Sequence, residues 1–449
     1  MNKLDSNLVA NSMVDAGFEL IDSLDGADAV MINTCSVRGR AEEKVFSMLG
    51  RLKNAKKTRP EMVVVVFGCM AQRLSDELLK HEAVNVVCGP GQIPQLATMV
   101  AEEMQKHSGL IAVSEDIRAK VQAQNAKALD DFEFAYDSAN EHIPSQAFVR
   151  IMRGCNNFCS YCVVPYVRGP ENSRRPQAVI EQIKKLADTG VKQITLLGQT
   201  VNSYSYQEGD KTYGLADLLE MVSEIDGIEW IRFVTGHPKD FDERIFRAMA
   251  DLPKVCAYLH MPAQSGADRV LKAMNRGYTA EEYLDLVAKA KELVPGIAVA
   301  GDFIVGFPGE TEEDFAATVE LVKKAQYKNC FVFKYSPRPG TKSDKKLIDD
   351  VSIEVKKRRN IELLAVQEEI SKRHNESFVG QTVRVLVEGP SKKAHLNSVE
   401  NADMGQLISR TATDYIVVFN GPAKLAGQFA NVKITGTSAL TLFGELSDA

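Results

Sequence analysis

Short apolar runs alternate with helical patterns over most of this chain, and a two-residue rhythm takes over near its end. Ala29-Val30-Met31-Ile32-Asn33 predicts a strand ending at Cys35, and Met62 to Phe67 a strand ending at Gly68-Cys69. A third run, Val84 to Val87, leads into Gly89-Pro90-Gly91. Helical patterns lie between them, so residues 1–105 predict a small parallel α/β amino-terminal domain. Its cysteines fall at strand ends, where open sheets bind ligands. From 106 to 145 acidic and amide residues break the pattern around Asp130-Asp131-Phe132-Glu133-Phe134, which reads as a linker or extended connection. Strands at 147–152, 192–198, 230–235, 257–261, 297–305 and 331–336 then alternate with helices at 177–189, 214–225, 239–250, 279–293 and 311–325. Pro176, Thr279 and Thr311 stand at helix starts. This predicts a partial (β/α)6 barrel with its site at the carboxyl ends of the strands. Residues 352–377 predict a long amphipathic helix with Ile361, Leu364 and Ile370 turned inward, closing a core domain of 146–377. From 378 to 446 the period is two. Thr382 to Val387, Asp414 to Phe419 and Asn431 to Thr435 predict strands of an all-β barrel punctuated by glycines. The fold class is α/β with that barrel at the carboxyl end.

Composition narrows the setting. A length of 449 residues needs two to four domains, and 45% hydrophobic residues suit a protein with a proper core. No apolar run approaches the ~18–20 residues of a membrane span, and the start MNKLDSNLVA is too polar for a signal peptide. No membrane partner is expected. The eight cysteines fall in metal-type groupings, which favours a reducing, cytoplasmic location over a disulfide scaffold. The net charge of −6 gives no general attraction to nucleic acid. Local basic clusters stand at Arg150, Arg153, Arg168, Arg174 and Arg175, and at Lys356-Lys357-Arg358-Arg359. The second cluster reads equally as a solvated helix face.

The chemistry concentrates in RGCNNFCSYC, where Cys155, Cys159 and Cys162 form a C-x3-C-x2-C triplet. Each thiolate can bind iron or zinc. A closed zinc or 4Fe-4S site needs four protein ligands, and the triplet supplies three. One iron is thereby left open to a small molecule. The alternative is a structural zinc knuckle with a distant fourth ligand, although zinc sites usually pair cysteines as C-x2-C. The loop leaves the predicted strand 147–152, the usual place for chemistry in an α/β barrel.

The triplet, with Tyr161 before its last cysteine, resembles the cluster loop of the radical S-adenosylmethionine (SAM) superfamily. Further strings resemble the methylthiotransferases within it: NTCSVR at 33–38, GCMAQR at 68–73, RGPENSRRP at 168–176, LLGQTVNSY at 196–204, HMPAQSGADRVLKAMNRGYT at 260–279, DFIVGFPGET at 302–311 and YSPRPGT at 335–341. The wording around the triplet is most similar to the branch that acts on isopentenylated adenosine in tRNA. The resemblance covers almost the whole chain and includes a TRAM-like carboxyl-terminal barrel. It implies two 4Fe-4S clusters and SAM as cofactors. One cluster would sit on Cys155, Cys159 and Cys162, and an auxiliary cluster on Cys35, Cys69 and a third cysteine. That third ligand belongs to a Gly-Cys-Gln-Met-Asn string, whereas this sequence begins Met1-Asn2, matching the part after the Gly-Cys-Gln. A late-assigned start, a trimmed chain and a true loss each account for this. Cys88 reads as a buried structural thiol, with a rescue ligand as the alternative. Cys256 and Cys330 read as structural.

The same resemblance implies SAM contacts at Tyr161, Gly198, Gln199, Gln264, Ser265 and Gly306, each of which also suits ordinary loop geometry. Arg168, Arg174 and Arg175 are candidates for RNA phosphates or the substrate rim, and Lys392, Lys393 and Arg410 for RNA contacts on the TRAM-like barrel. That barrel reads otherwise as a structural cap. His260 is expected to support the barrel rim. The implied partners are a tRNA anticodon stem-loop, an electron donor such as flavodoxin or ferredoxin, and a sulfur donor, with the chain acting as a monomer. The runner-up substrates are threonylcarbamoyl-adenosine tRNA and a ribosomal protein. A non-catalytic iron–sulfur RNA-binding protein is the reading of another class.

Overall fold

The computed structural model describes residues 1–36, 39–106, 108–114, 129–136, 145–391 and 404–447. These fall into two compact units, 1–140 with 150–182, and 141–149 with 183–449.

In the first unit four strands lie in chain order, β1 (Ala29–Thr34), β2 (Val63–Gly68), β3 (Val86–Cys88) and β4 (Leu110–Ala112). All neighbouring pairs are parallel. β2 is buried throughout, as its run of four valines requires for a central parallel strand. Helices Asn2–Asp15 and Leu96–Lys106 border one apolar cluster, on Val63, Val65 and Phe67, and helix Gly39–Ala55 the other, on Val64 and Val66. Residues 106–145, expected as a connection, contribute β4 to this sheet and a helical turn at 129–134. The same unit holds the triplet loop with its small hairpin, β6 (Met152–Arg153) on β7 (Asn172–Ser173).

In the second unit β5 (Gln146–Arg150) supplies residues up to 149 and borders β8 (Gln193–Leu197), which pairs in parallel with β11 (Trp230–Phe233). A two-stranded hairpin, β9 (Ser205–Glu208) and β10 (Lys211–Gly214), intervenes in sequence. β12 (Tyr258–His260), β13 (Ala298–Val305) and β14 (Asn329–Lys334) form a second parallel group, and a single bridge from Ile231 to Val255 leads toward it. Six strands in chain order match the expected partial barrel. Helices start at Thr279 and Thr311 with reciprocal capping boxes to Glu282 and Asp314.

The closed carboxyl-terminal barrel has five strands, in the order β15 (Thr382–Pro390), β16 (Met404–Thr411), β17 (Ile416–Pro422), β19 (Thr441–Leu446) and β18 (Phe429–Thr437). β16 and β19 were not legible from the two-residue rhythm. The barrel meets the core strands at their amino-terminal ends. Phe429 packs edge-on against Trp230 at 4.8 Å, Arg384 pairs with Glu229, and Ala298 joins the barrel's apolar core. It therefore lies at the end of these strands opposite to Gln199, Gln264 and Gly306. Eight-residue β13 alone separates the two ends by roughly 26 Å.

The long helix Ile353–Glu376 buries Ile370 as expected, but not the rest of the face expected with it. Ile361 and Leu364 are exposed, and the buried residues are Lys356, Arg359, Leu363, Gln367, Ile370, Ser371 and Asn375. The buried polar side chains find partners: Arg359 pairs with Glu310 at 2.7 Å, Gln367 donates to the Tyr327 carbonyl and Asn375 to that of Ser438, while Arg359 Nε and Gln367 Oε1 are left without one. Half of the basic cluster 356–359 is thus taken up inside the fold.

Candidate functional site

The triplet loop is closed on itself by backbone hydrogen bonds. The Cys155 N–H donates to the Gly169 carbonyl at 3.1 Å, and the Cys162 N–H to the Cys159 carbonyl at 2.9 Å. Gly154 opens the loop at φ +74, and a Cβ there would lie 1.9 Å from the Pro170 carbonyl oxygen. Only glycine fits this approach. Phe158 takes a left-handed φ of +48 between the first two cysteines, bending the chain around the centre it would hold. Cys155 and Cys159 are buried and Cys162 is half-buried. Among the described residues, no three histidine, cysteine, aspartate or glutamate side chains gather as around one metal ion. Three thiols on one closed loop are a donor set that suits a 4Fe-4S centre with one iron left open.

Cys35 and Cys69 follow the register pair Thr34–Gly68 directly, so they leave adjacent strand ends side by side. Gly68, at φ +100, lets the chain turn there, since a Cβ would lie 2.7 Å from the Thr34 carbonyl oxygen. Cys88 pairs with Phe67, one residue short of Gly68, and is fully buried. Burial pushes its thiol up to about 12, as the structural reading requires. The helix Asn2–Asp15 starts at this same end, where the Asn2 side chain donates to the Thr34 carbonyl at 3.2 Å.

The two cysteine groups, expected in separate domains, adjoin within the first unit. Cys69 packs with Val163 and Val167 in one apolar cluster, and Val163 directly follows Cys162. Arg168 Nε donates to Cys69 Sγ at 3.2 Å and its Nη2 to Asp5 at 3.0 Å. Burial pushes the Cys69 thiol up, and Arg168 opposes that shift. A buried ion network continues from there. Asp5 pairs with Arg150, Arg150 with Glu133 at 2.7 Å, and Glu133 with Arg153 at 2.6 Å. Burial works to raise the Asp5 carboxyl, but Arg150 and Arg168 outweigh it and hold it well below the usual carboxylate range.

The barrel residues lie in the second unit. Gly198 follows β8 directly and is buried, and the next residue, Gln199, carries a buried Oε1 with no hydrogen-bond partner. A buried orphan acceptor is costly, and an amino group would satisfy it. Gln264 adopts φ +72 and extends the sheet, bonding Asp302 and Ile304 through its backbone. The Ser265 hydroxyl lies 3.3 Å from that of Thr318 and accepts from Ala267, so it serves its own turn. Gly306, at φ +71, donates to Glu310 at 2.6 Å and abuts Lys356. His260 approaches Asp302 at 3.3 Å, the supporting role expected of it.

His237, at the end of the β11 loop, was not singled out by sequence. Its Nδ1 accepts from Lys239, and its buried Nε2 has no partner. Burial first, then Arg276 and Lys239, push its pKa down to about 2 from 6.5. Above pH 6.5 both folded and unfolded states are neutral and nothing is lost. Below it only the unfolded state takes the proton, so stability should fall by about 1.4 kcal/mol per pH unit from this group. A His237→Asn variant should show a shallower loss of denaturation midpoint between about pH 6.5 and pH 5; an unchanged slope would assign the acid sensitivity elsewhere.

The model of the radical SAM superfamily matches residues 149–322, that of an uncharacterized protein family, UPF0004, residues 1–89, and that of the TRAM domain residues 376–447. Over 447 residues the chain is 44% identical to the tRNA-2-methylthio-N(6)-dimethylallyladenosine synthase of Rhodopirellula baltica, covering 99% of this chain and 93% of that one. The chain belongs to the family of tRNA-2-methylthio-N(6)-dimethylallyladenosine synthases. The synthase of this family from Moorella thermoacetica is 40% identical over 451 residues, with 100% and 96% covered. Among solved structures, the radical S-adenosylmethionine methyltransferase TsrM from Kitasatospora setae superposes with a TM-score of 0.53 at 15% identity, covering 74% of this chain and 70% of that chain. This last likeness concerns the fold alone.

In this synthase-family chain the arginines picked out for RNA divide. Arg168 and Arg174 face inward. Arg174 binds Asp130 at 2.8 Å, the Arg150 carbonyl at 2.7 Å and Gln182 at 2.8 Å. Neither guanidinium is placed to meet phosphate, because each is buried and committed to protein partners. Arg175 is exposed. Arg410 is held between Glu388 at 2.9 Å and Asp414 at 3.1 Å, which neutralises its charge locally. Lys392 and Lys393 lie outside the described residues. The residues that sequence missed are Asp5 and Glu133; the acidic run at 130–133 was visible but carried no hint of its partners. Among the described residues no helix is long and apolar enough to cross a membrane.

Proposed function

We propose that this chain converts N6-isopentenyladenosine next to the tRNA anticodon to its 2-methylthio derivative, using two 4Fe-4S clusters and SAM. The observation that carries the reading is the packing of Cys69 against the segment that follows the triplet, in a chain whose full-length relatives bear the synthase name. When bound, the clusters and SAM supply a 5′-deoxyadenosyl radical at the triplet and the transferred sulfur at the auxiliary site. The protein's own residues do the rest. Cys155, Cys159 and Cys162 hold one cluster and leave an iron for SAM, while Cys35 and Cys69 supply two ligands to the other. The closed loop and its burial exclude water. Gln199 offers its orphan acceptor to the SAM amino group. Tyr161, Gly198, Gln264, Ser265 and Gly306 complete the SAM contacts that the family resemblance implies. A loop base is already partly unstacked, so extruding it costs less than flipping a paired base. A flavodoxin or ferredoxin would supply the electron and a separate donor the sulfur, and the enzyme would act as a cytoplasmic monomer.

Nucleoside analysis of bulk tRNA tests this directly. A strain lacking the enzyme and expressing this chain should regain the methylthio-isopentenyl nucleoside; persistence of plain isopentenyladenosine would overturn the reading. Gain of the methylthio-threonylcarbamoyl nucleoside instead would move it to the runner-up substrate. Anaerobically reconstituted protein should hold roughly eight irons per chain, four at each site; near four here and near eight with the upstream residues restored would assign the third ligand to those residues, and near four in both would remove the auxiliary cluster. Affinity for an anticodon stem-loop should fall steeply between about 50 and 200 mM salt, and flat binding would argue against phosphate contacts.

A further inference from the structure

Arg168 stands where the two cysteine groups meet. Its side chain is 7% exposed. Its Nε–H points at Cys69 Sγ (3.2 Å) and its Nη2 at Asp5 (3.0 Å), so the planar fork is fixed by two acceptors at once. Its backbone N–H closes the turn Val164–Val167 on the Val164 carbonyl at 2.9 Å. The next residue, Gly169, accepts the hydrogen bond of Cys155. From the Cys69 sulfur to the triplet backbone the path is therefore one side chain and one peptide unit. Asp5 ties the same guanidinium to the amino-terminal helix and to Arg150.

We propose that Arg168 is the positioning residue that sets the Cys69 site against the triplet loop and tunes the iron–sulfur centre Cys69 would ligate. This deepens the two-cluster reading and rests on it. A buried cation donating to a ligand sulfur stabilises the added negative charge of the reduced centre, so it raises the reduction potential. The rival account is a purely structural ion pair with Asp5, in which the sulfur contact is incidental.

The two accounts separate in the anaerobically reconstituted full chain carrying Arg168→Gln or Asp5→Asn. The auxiliary centre would be titrated by EPR in a background with the triplet cysteines replaced. Arg168→Gln should shift its potential to more negative values at full iron occupancy, whereas Asp5→Asn, which keeps the N–H to sulfur contact and removes a buried negative charge, should leave it in place or move it to more positive values. With the triplet intact, the ratio of methylthiolated tRNA to 5′-deoxyadenosine should drop about 10- to 100-fold in Arg168→Gln. Equal potentials and equal ratios in the two variants at full occupancy would overturn the proposal and leave the two-cluster reading standing. A wild-type count near four irons, both here and with the upstream residues restored, would overturn both. If Arg168→Gln fails to fold or loads no iron, Arg168→Lys carries the test, since it keeps the charge and loses the fork; an unchanged product ratio in that variant would equally reject the role.

Discussion

Replacing Gly154 with alanine should abolish SAM cleavage as completely as replacing Cys155 itself. The residue carries no chemistry, so the effect is purely geometric. Its φ of +74 is strained for any L side chain, and the added Cβ would lie 1.9 Å from the Pro170 oxygen and 2.6 Å from the Gly169 oxygen. Both obstacles are backbone atoms, and the second is held by the Cys155 N–H. Relief requires the 169–170 segment to retreat, which breaks the bond that closes the loop. The expected outcome is a folded protein short of roughly four irons, with 5′-deoxyadenosine at the level of a Cys155→Ala control. Retention of full iron and full SAM cleavage would show that the loop closes by another route.

Glu133→Ala should produce the largest loss of stability in the first unit, about 3–5 kcal/mol. Its side chain is fully buried between Arg150, itself buried, and Arg153, which reaches water only in part. Removing the carboxylate leaves Arg150 to share Asp5 with Arg168, and Arg153 without its ion-pair partner. Hydrogen–deuterium exchange in β1 and β2 should rise accordingly, and protection equal to wild type would refute the estimate. Replacing Glu133 and Arg153 together by apolar residues should cost less than Glu133→Ala alone, because no charge is then stranded. The sign with pH follows from the same network. Burial works to raise the Glu133 carboxyl, but the arginines outweigh it and hold it below its ordinary 4.5. Its contribution is complete above that value and is lost as pH falls through the lower folded value. The wild-type unit should therefore loosen in acid, and Glu133→Ala should remove that part of the acid dependence.

The chain's local signals determined a good deal alone. A valine run placed β2, and short apolar runs the core strands, within a residue or two, because a central parallel strand is covered on both faces and is apolar at most positions. Thr279 and Thr311 announced their helices, since an N-cap acts over one turn and needs no distant partner. The C-x3-C-x2-C triplet was equally legible, as its spacing is itself the chemistry. Tertiary structure alone decided everything that depends on partners far apart in sequence. Arg168 reads as a phosphate ligand until Asp5, 163 residues away, claims it. Ile361 and Leu364 read as core until the long helix turns its polar face inward, which works only because Tyr327 and Ser438 present carbonyls to it. β16 and β19 lack a clear two-residue rhythm and gain strand form from neighbours on both sides of a closed barrel. Cys69 and Val163 stand 94 positions apart in sequence, and only packing brings them together. A charge or a polar face carries no label for its partner; desolvation and the geometry of the folded chain supply one.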